Sequence, residues 1–282
     1  MKIVKKPKLI ISDIDGTIFD RKDTVTEGLR RLKTILAEHR IPFTLASGRC
    51  YADMKSLIEF LDVSLPVIVN NGAGIMTESQ MYWGAQINPE DIREAVRYAD
   101  TCGMMVSLYE AEKEKVYRHN AYVQSYIDRF GKKYEYCVTS EKEMDEQQWK
   151  DMRIQKLLII DPQKPGRIET VINKIREASD HLSVVQYDDR SIDVMPKSCS
   201  KENGVAKLAG MLGISMEDIM AVGDNENDIE MLKHAGIGVA VNNATDTLKA
   251  AADYISAEEA AAGVAKAVEK FYVLLDDDEG EN

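Results

Sequence analysis

Asp13 and Asp15 stand one residue apart, directly after the apolar run Leu9-Ile10-Ile11 and directly before Gly16-Thr17. Two carboxylates at that spacing repel each other and are costly to bury unless a cation offsets them. A divalent ion is the usual offset, and magnesium takes one or two carboxylates together with substrate phosphate oxygens. The bland alternative is an aspartate-rich turn after a strand. Acidic clusters at strand ends favour the functional reading over that one.

Three further stretches repeat the pattern of apolar residues running into polar ones. In Ala46-Ser47-Gly48-Arg49 the serine hydroxyl can donate to a phosphate oxygen and the glycine admits a close backbone approach. A plain Ser-Gly turn fits that stretch equally well. In Gly223-Asp224-Asn225-Glu226-Asn227-Asp228, Asp224 would complete a metal site with Asp13 and the Asp15 carbonyl. Asp228 would hold a metal-bound water or orient a ligand. The structural alternative is an Asx-rich loop in which Asn227 or Asp228 caps the next helix. Lys201, beside Ser198 and Ser200, would usually be a surface lysine at a helix start. It gains weight because Asp13, Asp15, Asp224 and Asp228 need more positive charge than one divalent ion supplies.

Taken in order, these four stretches resemble the motifs of the haloacid dehalogenase (HAD) superfamily, and the resemblance covers nearly the whole chain. Asp13-Ile14-Asp15-Gly16-Thr17 is similar to the first motif, Ala46 to Arg49 to the second, Lys201 to the third and Gly223 to Asp228 to the fourth. Asn71-Gly72-Ala73 and Gly238-Val239-Ala240-Val241 resemble the Cof-like subfamily with its α/β cap of type IIB. One departure is Ser256-Ala257-Glu258-Glu259 before Gly263-Val264-Ala265, where that subfamily usually has an Asn-rich turn. The resemblance implies Asp13 as nucleophile, Asp15 as general acid and base, and Lys201 as the third catalytic residue. It implies Thr17, Ser47, Gly48, Arg49, Asn71, Lys201 and Asn227 on the substrate, and Asp13, Asp15, Asp224 and Asp228 around Mg²⁺.

The expected activity is a Mg²⁺-dependent phosphatase acting on a small phosphate monoester, a sugar phosphate or a phosphorylated cofactor, through an aspartyl-phosphate. An alkoxide leaving group needs an acid, which favours a phosphatase over halide displacement. The alternatives are a phosphohexomutase and a non-catalytic phosphate-binding protein on the same fold. The latter would be marked by loss of Asp13 or Asp15, and both are present.

The elements that must position these residues follow from periodicity. Short apolar runs near 9–11, 42–46 and 66–69 read as buried strands, with helices over 24–39 and 52–61 between them. That alternation implies a Rossmann-like, doubly wound parallel α/β sheet. A hairpin is expected over 74–76 and 81–83. From about residue 89 the order changes: helices over 89–102, 119–130 and 167–178, strands over 104–109, 154–160, 182–187 and 191–195, and an ambiguous polar stretch over 140–149. This reads as an inserted α+β cap. Alternation returns from Lys201, with strands over 219–222 and 237–241 and at 254–255, and helices over 201–212, 229–234, 245–252 and on to Phe271. The expected domains are a discontinuous core over 1–83 and 190–275, a cap over 84–189 and an acidic disordered tail over 276–282.

Composition narrows the partners. A net charge of −12 argues against nucleic acid or an anionic membrane as the main partner, because both need basic patches. A small phosphorylated metabolite is expected instead, and the oligomeric state is left open. Cys50, Cys102, Cys137 and Cys199 are scattered without metal spacing, which fits reduced thiols. With no apolar run long enough for a signal peptide or a span, a cytoplasmic location is expected. There is no P-loop, no dinucleotide fingerprint, no EF-hand spacing and no Gly-x-Ser-x-Gly elbow.

Overall fold

The computed structural model describes residues 5–20, 24–130, 138–140, 146–163, 166–186 and 188–273. The tail over 276–282, Cys137 and Tyr187 lie outside them. Along the chain run β1 (Leu9–Ser12), α1 (Glu27–Glu38), β2 (Phe43–Leu45), α2 (Tyr51–Leu61), β3 (Val67–Val69), β4 (Gly74–Met76), β5 (Met81–Gly84) and α3 (Pro89–Thr101). Next come β6 (Met105–Tyr109), β7 (Glu114–Val116), α4 (Ala121–Phe130), β8 (Val138–Ser140), α5 (Glu146–Lys150), β9 (Lys156–Ile160), α6 (Arg167–Ala178), β10 (Leu182–Gln186) and β11 (Ser191–Pro196). The chain ends with α7 (Lys201–Leu212), β12 (Ile219–Gly223), α8 (Ile229–His234), β13 (Ile237–Ala240), α9 (Asp246–Ala251), β14 (Tyr254–Ile255) and α10 (Ala260–Val268).

Contacts divide the chain into two compact units. One comprises 1–48, 56–79 and 200–282, the other 49–55 and 80–199. The first is built on a parallel sheet ordered β14-β13-β12-β1-β2. β1 lies inside it, and Leu9, Ile10 and Ile11 are fully buried, which is why the run has no polar face. α1 starts three residues later than a pattern from Thr24 requires, because Thr26 caps it, its Oγ1 accepting from Leu29 N at 3.2 Å. Its Leu29, Leu32, Ile35 and Leu36 are buried, and α1 packs on α10.

β3 departs from the expected third parallel strand. It meets the ladder only through a bridge between Ala46 and Ile68, and pairs antiparallel with β4. Two features cause this. Pro66 brings no N–H, and its carbonyl accepts from Thr44 Oγ1 at 2.7 Å. Asn70, Asn71 and Gly72 then take successive left-handed conformations, with φ of 49°, 54° and 91°, and turn the chain straight back.

The second unit is a six-stranded sheet ordered β10-β11-β9-β6-β7-β8, antiparallel except for β7 with β8. Val106, Leu108, Leu157, Ile159, Ile192 and Val194 alternate onto one face and meet the apolar stripes of α3 and α6. Part of the opposite face packs Met105 and Val116 against Val123 of α4. That face also carries buried polar groups: Ser107, Glu114, Lys156 and Asp193.

Candidate active site

Asp13 extends β1 by one residue, its N–H donating to the Val222 carbonyl at 2.9 Å. Parallel pairing brings the ends of β1 and β12 level, so Asp13 and Asp224 emerge at the same sheet edge. Lys201 opens α7, whose N-cap Ser200 accepts from Asn203 N at 3.0 Å. The Lys201 ammonium donates to Asp13 Oδ1 at 2.6 Å and to Asp228 Oδ1 at 2.7 Å, and all three side chains are buried. Asp228 Oδ2 accepts from the backbone N–H groups of Asp224 and Asn225 at 3.1 and 3.2 Å. Asp228 therefore ties the loop carrying Asp224 to the lysine. Thr17 Oγ1 lies 2.9 Å from Asp224 Oδ1 and 3.3 Å from Asp13 Oδ2. With one proton to give, it serves Asp224 best.

Asp228 stands at the N-cap position of α8 without a side-chain bond to that helix, and Asn225 caps the single turn over Glu226–Asp228 before it. Asn225 Oδ1 accepts from Glu226 N at 2.8 Å, and Asp228, three residues on, reaches back to the Asn225 N–H to close a capping box. Asn227 is exposed on that turn.

The charges do not balance within the site. Burial works against the Lys201 ammonium, but the Asp13 and Asp228 carboxylates outweigh it and raise its pKa. Asp13 is itself pushed well above the usual carboxylate range, chiefly by burial. Lys201 pulls it down, and Asp228 and Asp224 push it further up. Asp224 is raised by burial and by Asp228, against the Thr17 hydrogen bond. Three carboxylates share one ammonium. One oxygen each from Asp13, Asp224 and Asp228 lies within 4.8 Å of the others, a spacing a cation could bridge.

Asp15 is exposed and its carboxylate is not part of that cluster. Ser47 is fully buried at the end of β2, its N–H on the Ile68 carbonyl at 3.0 Å and its own carbonyl accepting from Asn71 N at 2.8 Å. Gly48 packs against the Asn71 amide. Gly72 must be glycine on two counts: φ is 91°, and a Cβ would stand 1.9 Å from the Ser200 carbonyl oxygen. Arg49 groups with the second unit, its guanidinium donating to the Asp53 carbonyl at 3.4 Å.

Sequence reasoning missed Asn243, which follows β13 at a fourth strand end. Its Nδ2 donates to the Gly16 carbonyl at 2.7 Å and its Oδ1 accepts from Ala260 N at 2.8 Å. It thereby braces the Asp13–Thr17 loop from the unusual turn before Gly263. Its position after an apolar strand was the available signal.

The haloacid dehalogenase-like hydrolase family matches residues 10–268. A phosphoglycolate phosphatase of Methanoculleus marisnigri is 31% identical over 275 residues, covering 95% of this chain and 98% of its own. A haloacid dehalogenase-like hydrolase from Bacteroides thetaiotaomicron has a similar structure, with TM-score 0.80, 25% identity, and 95% and 100% of the two chains covered. A sugar phosphatase of HAD subclass IIB shares the fold at TM-score 0.71 and 21% identity, over 93% and 98% of the chains. With that fold, and with Lys201 joining Asp13 to Asp228 at the sheet edge, the chain belongs to the haloacid dehalogenase-like hydrolases and is an enzyme.

Proposed function

We propose that this enzyme hydrolyses small phosphate monoesters through an aspartyl-phosphate on Asp13. The observation that carries the reading is the Lys201 ammonium, buried and shared between Asp13 and Asp228. It holds Asp13 in place and stands ready for the oxygens of a phosphoryl group. An Asp13 oxygen attacks phosphorus as the P–O bond to the alcohol breaks, and Asp15 gives its proton to the departing oxygen. Water then attacks the aspartyl-phosphate, Asp15 takes the water's proton, and phosphate leaves with Asp13 restored. The exposure of Asp15 suits a group that must reach both an alcohol and a water.

A divalent cation fits the donor set, because three carboxylates face one ammonium. Asp13, Asp224 and the Asp15 carbonyl would hold Mg²⁺, with Asp228 orienting the loop. Bound there, the ion would supply charge stabilisation to the phosphoryl oxygens. Ser47, Gly48 and Asn71, together with Thr17, Arg49 and Asn227, are the proposed substrate contacts. The second unit is the proposed specificity cap, and a small phosphorylated metabolite in the cytoplasm is the proposed partner.

Turnover of p-nitrophenyl phosphate and a panel of sugar and cofactor phosphates tests the reading. Activity is expected to vanish in chelator and return with Mg²⁺, and Asp224→Ala to blunt that return. Full activity in chelator overturns the metal site, and no turnover of any ester overturns the phosphatase.

A further inference from the structure

Asn71 carries two costs that backbone geometry alone does not explain. Its φ of 54° and ψ of 38° are left-handed, a region asparagine enters more readily than other residues with a Cβ but still less readily than glycine. Its side-chain Oδ1 is buried with no hydrogen-bond partner, in a residue only 8% exposed. A buried acceptor left unpaired is a net loss. Glycine would take the same conformation without strain and leave no orphaned oxygen. The asparagine side chain therefore has work that the turn does not require.

Its surroundings indicate where that work lies. The amide packs on Gly48, where a Cβ would come within 3.0 Å of Oδ1 and 3.2 Å of Nδ2. The Asn71 N–H holds the Ser47 carbonyl, and the next residue, Gly72, abuts the Ser200 carbonyl just before Lys201. The amide thus packs on the Ser47-Gly48 turn, and the residue after it abuts the start of α7, all within the first unit. A phosphoryl dianion presents acceptors alone, so it offers Oδ1 nothing. What Oδ1 lacks is a donor, and the alcohol half of an ester can carry one. The amide's χ2 torsion is soft, so turning the oxygen toward a ligand costs little.

We propose that Asn71 is a specificity-determining residue whose Oδ1 accepts a hydrogen bond from a hydroxyl or ammonium group on the alcohol next to the phosphoryl group. This rests on the phosphatase reading and narrows its substrates to esters of donor-bearing alcohols.

The test uses the full-length enzyme with Mg²⁺ and three matched esters: ethyl phosphate, 2-hydroxyethyl phosphate and 2-aminoethyl phosphate. The parent is expected to prefer a donor-bearing ester over ethyl phosphate by about tenfold in kcat/KM, the scale of one hydrogen bond. Whether the hydroxyl or the amine ranks first identifies the donor. Asn71→Gly keeps the backbone conformation and removes the amide, so the preference should fall to about one, whatever happens to absolute rates. Asn71→Asp keeps the acceptor and should keep the preference. A parent without preference, or Asn71→Gly with the preference intact, overturns the proposal. If p-nitrophenyl phosphate is cleaved while no preference is seen, only this inference fails. If no ester is cleaved, the phosphatase reading fails with it.

Discussion

In the proposed mechanism Asp13 must be ionised to attack phosphorus, yet burial and two neighbouring carboxylates oppose its charge. Lys201 opposes that effect without cancelling it, and it does so while also holding Asp228. Asp13→Asn removes the proposed nucleophile and lessens the crowding of negative charge, and Lys201 keeps Asp228 as a partner. The variant is expected to fold normally and to lose about three or more orders of magnitude in turnover. A melting curve and a kcat measurement check both halves; parent-like turnover would rule out covalent catalysis. The assembly of Asp13, Lys201, Asp224 and Asp228 was legible because each is an ionisable residue at a strand end or helix start. The individual hydrogen bonds were not. Thr17 spends its proton on Asp224, Asn225 and Asp228 close a capping box on the turn before α8, and Asn243 braces Gly16 across more than 200 residues of chain. Such partners depend on side-chain directions that residue spacing does not encode.

At the scale of elements, long amphipathic helices and apolar strands could be read, and short ones could not. β7 is Glu114-Lys115-Val116, three residues with no apolar alternation, and β8 lies in a similarly polar stretch. These strands form because β6 offers an unpaired edge, a tertiary cause that no local pattern announces. The same strand buries Glu114 to 1% exposure. Burial pushes its pKa up to about 6, with Asp53 adding to the rise and the nearby Ser107 and Tyr109 hydroxyls and Lys156 opposing it. The folded state therefore binds this proton more tightly than the unfolded chain, whose glutamate titrates near 4.3. Stability from Glu114 is complete below that value and is lost as pH rises through about 6. Glu114→Gln should remove the slope in that window and make the protein more stable at neutral pH by about 2 kcal/mol. Urea unfolding at pH 4.5 and pH 7 measures it, and an unchanged slope would show that Glu114 finds a donor. A second element-level expectation concerns Gly72, wedged under the cap of α7. Gly72→Ala meets both a positive φ and the Ser200 carbonyl. It should cost more than about 1 kcal/mol of stability and lower turnover through Lys201. A variant as stable and active as the parent would mean that the turn yields freely.

The whole molecule has two separately packed units, and we propose that they have different jobs. The first unit contains Asp13, Ser47, Lys201 and Asp224, and these proposed contacts to phosphate and metal are common to every phosphate ester. They cannot rank one ester against another beyond a contact such as that of Asn71. The second unit has its own apolar core between its sheet and α3 and α6, so it does not exist merely to complete the first. A separately cored insertion in a hydrolase is free to vary, and discrimination among alcohols is what remains to be supplied. Its first segment, 49–55, precedes the rest in sequence, and the Tyr51 and Ala52 N–H groups donate to the Ala111 and Glu112 carbonyls at 2.9 Å. Excising 80–199 alone therefore strips two amides at the start of α2, and a short polar linker with Tyr51 and Ala52 left exposed to water is the gentler design. The shortened enzyme is expected to cleave p-nitrophenyl phosphate still, since an activated leaving group needs little acid help. It should lose discrimination among natural esters by a factor of about 10 or more, because a few lost pocket contacts are worth roughly 1–3 kcal/mol. The kcat/KM ranking over the ester panel, compared between parent and shortened enzyme, decides the matter. A folded, insert-free core that kept the parent's ranking would place specificity in the first unit, and Asn71 would then be its leading source.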